Sequence, residues 1–166
     1  MSPTITASLE AQGTREMSTS KSYLAMAYWC ENQNWNGFAK LFHLQAAEEQ
    51  THARKFFHFI VDRGAMPKIG GVGAPRSEFA NLSEVAKAAY DMERANTASI
   101  HAAFETAQCE KDFATQVFLH DFIAEQVEEE AWTDTLVGKV RQAVCAGALF
   151  NLDRHAVKEI LGEAAD

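Results

Sequence analysis

Glu49 and His52 lie in the run Ala46-Ala47-Glu48-Glu49-Gln50-Thr51-His52. On a helix, residues three apart sit one turn above each other and about 60° around the axis, so a carboxylate and an imidazole at that spacing can hold one metal ion. A single Glu-x-x-His arises by chance and is usually a solvated pair, so its meaning depends on partners. Three other segments supply them: Glu16, Glu93, and the pair Gln126 and Glu129 each fall midway along an apolar seam. Unpaired buried carboxylates cost several kcal/mol apiece, and four in one core would unfold a domain whose whole stability is about 5–15 kcal/mol. Positive charge must therefore sit among them. No lysine or arginine shares these seam positions, and four carboxylates balance two divalent cations. Oxygen-rich ligands with one imidazole suit iron or manganese better than a zinc-thiolate site, although zinc can compete for the same atoms. The alternative is that these residues face solvent in a register shifted by one. That shift would also carry Phe38, Phe42, Phe56 and Phe59 into water.

Holding such groups together takes long helices. The prolines are Pro3, Pro67 and Pro75, and the stretches 4–66 and 76–166 contain none, which predicts an all-α chain. A first helix over Thr6 to Glu31 has the four-three seam Leu9, Gly13, Glu16, Ser20, Tyr23, Ala27, Cys30. Gly13 weakens it by about 1 kcal/mol against alanine, for no reason visible in the sequence. The turn-rich stretch 32–37 returns the chain into a second helix, Gly37 to Arg63, whose seam holds Phe38, Leu41, Phe42, Phe56, Phe59 and Ile60 around Glu49 and His52. Residues 64–80 are rich in glycine and proline and long enough to run the length of a bundle, so the two hairpins are joined end to opposite end. Asn81-Leu82-Ser83-Glu84 reads as a cap with a glutamate three residues on, opening a third helix to Gln108. Its seam is Leu82, Ala86, Ala89, Glu93, Asn96, Ile100, Ala103. The fourth helix runs from after Asp112 to Val144 on the seam Leu119, Phe122, Gln126, Glu129, Thr133, Leu136. Past Gly147, Asn151 or Asp153 can cap a short fifth helix, Leu152 to Leu161, whose few apolar residues suggest an oligomer contact. The expected architecture is an up-down-down-up four-helix bundle with a long crossover and a short C-terminal helix, one domain over 1–166.

The 166 residues, 47% of them hydrophobic, suffice for a substantial core, and a net charge of −8 disfavours a nucleic-acid partner held through its phosphates. The start of the chain has no basic, apolar leader and no window approaches a membrane span, which sets a cytoplasmic location as the expectation. Cys30, Cys109 and Cys145 are widely spaced and fit reduced thiols with no assigned chemistry. Trp29, Trp35 and Trp132 read as packing, and His43, His58, His101, His120 and His155 have no partner at ligand spacing. Tyr23, two turns beyond Glu16, is either a core tyrosine with a satisfied hydroxyl or a group that bonds a metal ligand and donates an electron.

Glu16 with Tyr23 and Trp29-Cys30, Glu48-Glu49-Gln50-Thr51-His52, Glu93, and Glu125-Gln126-Val127-Glu128-Glu129-Glu130 together resemble the bacterial non-haem ferritins over nearly the whole chain. The resemblance implies that Glu16, Glu49 and His52 hold one iron of a ferroxidase centre. Glu49 would bridge to a second iron, held also by Glu93 and Glu129, with Gln126 near the dioxygen side. Glu48, Glu125 and Glu128, sharing Glu129, would form a third iron site, against the alternative of an acidic solvated patch. It further implies oxidation of Fe(II) by dioxygen or hydrogen peroxide, storage as a ferric-oxo mineral, and a cage of 24 subunits. Haem is not expected, because Gln126-x-x-Glu129 stands where the haem-containing relatives carry a second Glu-x-x-His and Gln50 stands where they carry a methionine. A di-iron oxidase or peroxidase of the rubrerythrin kind, which stores no iron, is the alternative.

Overall fold

The computed structural model describes residues 1–162. Four long helices, α1 (Pro3–Asn32), α2 (Asn36–Asp62), α3 (Leu82–Cys109) and α4 (Phe113–Gln142), are followed by α5 (Ala146–Arg154) and α6 (Ala156–Leu161). Local chemistry accounts for each boundary. The Ser2 hydroxyl accepts the Ile5 N–H at 3.2 Å, with Pro3 in the first turn where its missing donor costs nothing. Asn34 and Lys111 adopt left-handed backbone, φ 63° and 56°, in the tight turns α1–α2 and α3–α4. Asn81 caps Glu84 N–H at 3.0 Å, and the Glu84 carboxylate reaches back to Ala80 N–H at 2.6 Å, one residue before the Asn81 N–H that a capping box engages. Asp112 caps α4 through Thr115 N–H at 3.0 Å and takes both arms of Arg63, at 3.0 and 2.9 Å, tying the end of α2 to the start of α4. The Arg63 guanidinium holds the Asp112 carboxyl down at about 2.

α1 packs on both α2 and α3, and α3 on α4. The crossover lies along α1, where Lys68 N–H reaches Glu10 at 2.8 Å and Gly70 N–H reaches Thr14 at 3.1 Å. The chain therefore runs up, down, down, up. No Cα of α2 comes within 8 Å of one on α4. Toward one end aromatic rings span that gap: Phe59 stacks on Phe118 at 4.0 Å and Phe56 meets Phe122 at 4.3 Å. Toward the other end α5 and α6 wedge against α2 and α4.

The C-terminal segment departs from expectation in two ways. It breaks at His155 into two short helices, and Asp153, expected along with Asn151 as a candidate cap of a single helix, instead accepts Phe38 N–H at 3.0 Å and so caps the first turn of α2. Gly37 makes this approach possible, since a Cβ there would lie 1.6 Å from the Asp153 carbonyl oxygen. Leu152, Ala156, Val157 and Ile160 are buried in the core of this same chain. The expectation that they need a second copy is thereby corrected: the wide α2–α4 seam is their neighbour.

The interior is divided. One apolar cluster gathers around Tyr23, Phe38, Phe42 and Leu136, the other around Leu9, Phe56, Ile100 and Leu119. A layer of polar side chains separates them. Gly13 gains a reason here: a Cβ would sit 2.9 Å from the Phe57 ring and 3.2 Å from the Phe56 Cβ, so the glycine lets α1 approach α2 closely. Among the described residues no helix is long and apolar enough to cross a membrane.

Candidate metal centre

The separating layer is built one turn from each helix. α1 contributes Glu16, α2 Glu49 and His52, α3 Glu93, and α4 Gln126 and Glu129, and none is more than 5% exposed. Each occupies the seam position a core leucine would take. Within the layer, Glu16, Glu49 and His52 offer ligand atoms within 4.8 Å of one another, and so do Glu49, Glu93 and Glu129. Glu49 belongs to both groups, so two cation positions would share it.

The partners of these carboxylates differ. Gln12 Nε2 donates to Glu16 Oε1 at 2.6 Å and Asn96 Nδ2 donates to Glu16 Oε2 at 3.0 Å. Tyr23 donates its hydroxyl proton to Glu93 Oε1 at 2.5 Å, and Gln126 Nε2 lies 3.3 Å from Glu93 Oε2 and 3.1 Å from Thr97 Oγ1. The Trp132 indole N–H donates to Glu129 Oε2. Glu49 has no hydrogen-bond partner on either oxygen, and its nearest cationic candidate, His52 Nδ1, is 3.7 Å away.

Burial sets the protonation of this layer. It pushes Glu93 up to about 7, against the opposing hydrogen bonds from Tyr23 and Gln126, and Glu129 up to about 8, with Glu93 adding repulsion. Glu49 is raised well above the ordinary carboxylate range by burial and then by the neighbouring Glu16. Tyr23 is likewise raised, by burial and then Glu93, which keeps its hydroxyl a proton donor. Glu49, Glu93 and Glu129 thus hold their protons more tightly than exposed carboxylates do, and a cation binding among them displaces those protons.

Glu48 and Glu128 are exposed and line a cavity of about 200 Å³ together with Gln45, Glu129, Trp132, Ile160 and Leu161. Glu125 does not line it. It lies 3.3 Å from Lys55 Nζ and 3.5 Å from His52 Nε2. Sequence patterns therefore located the carboxylates and the imidazole that meet in the buried layer but missed their supports. Gln12 and Thr97 drew no attention, and Trp132, expected only as packing, bonds Glu129. Asn96 was visible as a polar residue on the α3 seam one turn after Glu93, and Gln12 as a polar residue one turn before Glu16. Tyr23 was legible only as an alternative, and its hydroxyl does reach a carboxylate of the layer.

Bundle topology, end-to-end crossover and a carboxylate layer with one imidazole define the ferritin-like class. A family model described as a ferritin-like domain matches residues 6–143. A bacterial non-heme ferritin of Staphylococcus aureus (strain MRSA252) is 36% identical over 135 residues, 81% of each chain, and one of Staphylococcus epidermidis is 36% identical over the same length. An engineered closed form of the Archaeoglobus fulgidus ferritin superposes with a TM-score of 0.91 at 36% identity, covering 93% of this chain and 95% of that one. The open pore ferritin of the same archaeon gives a TM-score of 0.92 at 35% identity, over 93% of this chain and 96% of that one. The chain belongs to the ferritin family and is similar to its bacterial non-haem members.

Proposed function

We propose that this chain is a ferroxidase and iron-storage subunit. One Fe(II) is held by Glu16, Glu49 and His52, the second by Glu49, Glu93 and Glu129, with Gln126 beside the position where the oxidant arrives. Each Fe(II) gives up one electron, and the pair supplies the two electrons that take dioxygen to the peroxide level or hydrogen peroxide to water. Iron supplies the redox chemistry; the chain sets ligand charge and spacing and excludes water. Tyr23, bonded to Glu93, is placed to pass an electron or proton to the oxidised pair. Glu48 and Glu128, with Glu129 shared, take a third iron on its way to a ferric-oxo mineral, and Glu125 joins them on leaving Lys55. Copies of the chain enclose that mineral in a cage of 24, as one ferritin-like unit each. A cytoplasmic location is supported by three cysteines that are all free thiols.

The observation that carries this reading is Glu49: a fully buried carboxylate with no partner, common to two ligand groups. Ionising a carboxylate in that position is costly unless a cation binds it. Aerobic addition of Fe(II) to the metal-free protein should give fast oxidation that saturates near two irons per chain, and His52→Ala should remove that phase. Iron in large excess should co-elute with a shell-sized particle on a sizing column. Elution as a single chain carrying two irons would overturn the storage role.

A further inference from the structure

Glu16 is the one carboxylate of the layer whose two oxygens are both engaged by amide groups. Gln12 and Asn96 are each 1% exposed, come from different helices, and are bonded to each other as well: Gln12 Nε2 also lies 2.7 Å from Asn96 Oδ1. The three side chains form a closed ring, Gln12 to Glu16, Asn96 to Glu16 and Gln12 to Asn96, with distances of 2.6, 3.0 and 2.7 Å. The ring also fixes which way each amide faces. Turning Gln12 over would aim its carbonyl oxygen at Glu16 Oε1, and turning Asn96 over would set its oxygen against Glu16 Oε2. One lone pair on each Glu16 oxygen is thus committed to an N–H donor, and the plane of the carboxylate is set by two helices rather than by its own rotamer.

We propose that Gln12 and Asn96 are positioning residues that restrict Glu16 to binding a single cation from one side, leaving the bridging role to the unpartnered Glu49. The inference rests on the two-cation reading given above. Its physical content is an inequality between the two cation positions. The position formed with Glu16 and His52 has a pre-set carboxylate and needs little reorganisation to fill. Supports of this kind typically account for about 10–100-fold in metal affinity. Glu93 also has a donor on each oxygen, Tyr23 at 2.5 Å and Gln126 at a longer 3.3 Å, and Glu129 takes the Trp132 indole on one oxygen; the support of Glu16 differs in that its two donors are also bonded to each other.

Cobalt(II) tests this without turnover, because it does not oxidise under these conditions and its visible absorption reports ligand geometry. Titrated into the metal-free wild-type cage, it should bind in two steps per chain. Asn96→Asp keeps side-chain volume and the acceptor for Gln12 but replaces the N–H donor to Glu16 with an oxygen. It should weaken the first step by about 10-fold or more and alter its visible bands, with a smaller change in the second. Gln12→Leu leaves the Asn96 bond to Glu16 in place and should do the same more weakly; it carries the prediction if Asn96→Asp fails to assemble. Asn96→Asp or Gln12→Leu cages with a wild-type first step and spectrum would overturn the proposal. So would equal weakening of both steps, which would mark general damage to the bundle. Absence of two-step binding in the wild type would instead remove the two-cation reading itself.

Discussion

The buried layer and the acidic cavity beside it are made from the same residue type, yet they differ in what already neutralises them. Glu49, Glu93 and Glu129 sit in a dry interior with neutral donors or no partner at all, and two of them are pushed up to about 7 and 8. Glu48 and Glu128 are exposed, and Glu125 is paired with Lys55. Solvent exposure and a lysine offset part of the charge of the second group, so a cation is held there more weakly. The first group gains more from cation binding, because there binding replaces a desolvation penalty.

Substitutions can break that contrast. The largest effect belongs to Glu49→Ala, which removes the atom set shared by both groups: initial Fe(II) oxidation, followed by stopped-flow absorbance, should fall by more than the about 10–100-fold typical of losing a supporting residue. Glu128→Ala should leave that initial phase nearly intact.

Next in size is the pH dependence of metal-free stability. Glu93 and Glu129 bind protons more tightly folded than unfolded, so their contribution is fully present below about pH 4.5 and is lost as pH rises through about 7 and 8. Urea denaturation should show the metal-free protein losing stability between pH 5 and pH 8, and Glu129→Gln should flatten the slope. The same protons should be released into weakly buffered solution when a divalent cation binds at pH 7.

Gly13→Ala tests the approach of α1 to α2. Helix propensity favours alanine by about 1 kcal/mol, but the added methyl would meet the Phe57 ring at 2.9 Å. Crowding of this kind costs about 1–3 kcal/mol, so thermal denaturation should show a net loss or at best no gain. The smallest effect is expected from Glu128→Gln, with a stability change within about 0.5 kcal/mol of zero.

The four seams were legible because helical periodicity is a property of a single segment. Glu16, Glu49, His52, Glu93 and Glu129 each lie on a line of apolar residues, and every one is buried. What escaped depends on how segments meet. The Gln12–Asn96 bond requires a particular axial offset of α1 against α3, and the Trp132 bond to Glu129 requires a rotamer. Gly13 and Gly37 were unexplained or unremarked because the atoms that need their missing side chains belong to Phe57 and Asp153, far away in sequence. The C-terminal residues were expected to seek a second copy because the width of the α2–α4 seam cannot be read from either helix alone. That Glu125 meets Lys55 and His52 rather than the cavity lined by Glu48 and Glu128 is likewise set by how α4 faces α2.

The most direct test is a crystal of the protein soaked briefly with Fe(II) in air, with iron located by anomalous scattering. Two peaks per chain, about 3.5–4 Å apart as in two-metal sites, should lie one among Glu16, Glu49 and His52 and the other among Glu49, Glu93 and Glu129. Iron found only between Glu48, Glu125 and Glu128, with the buried layer empty and Glu49 unmoved, would contradict the account.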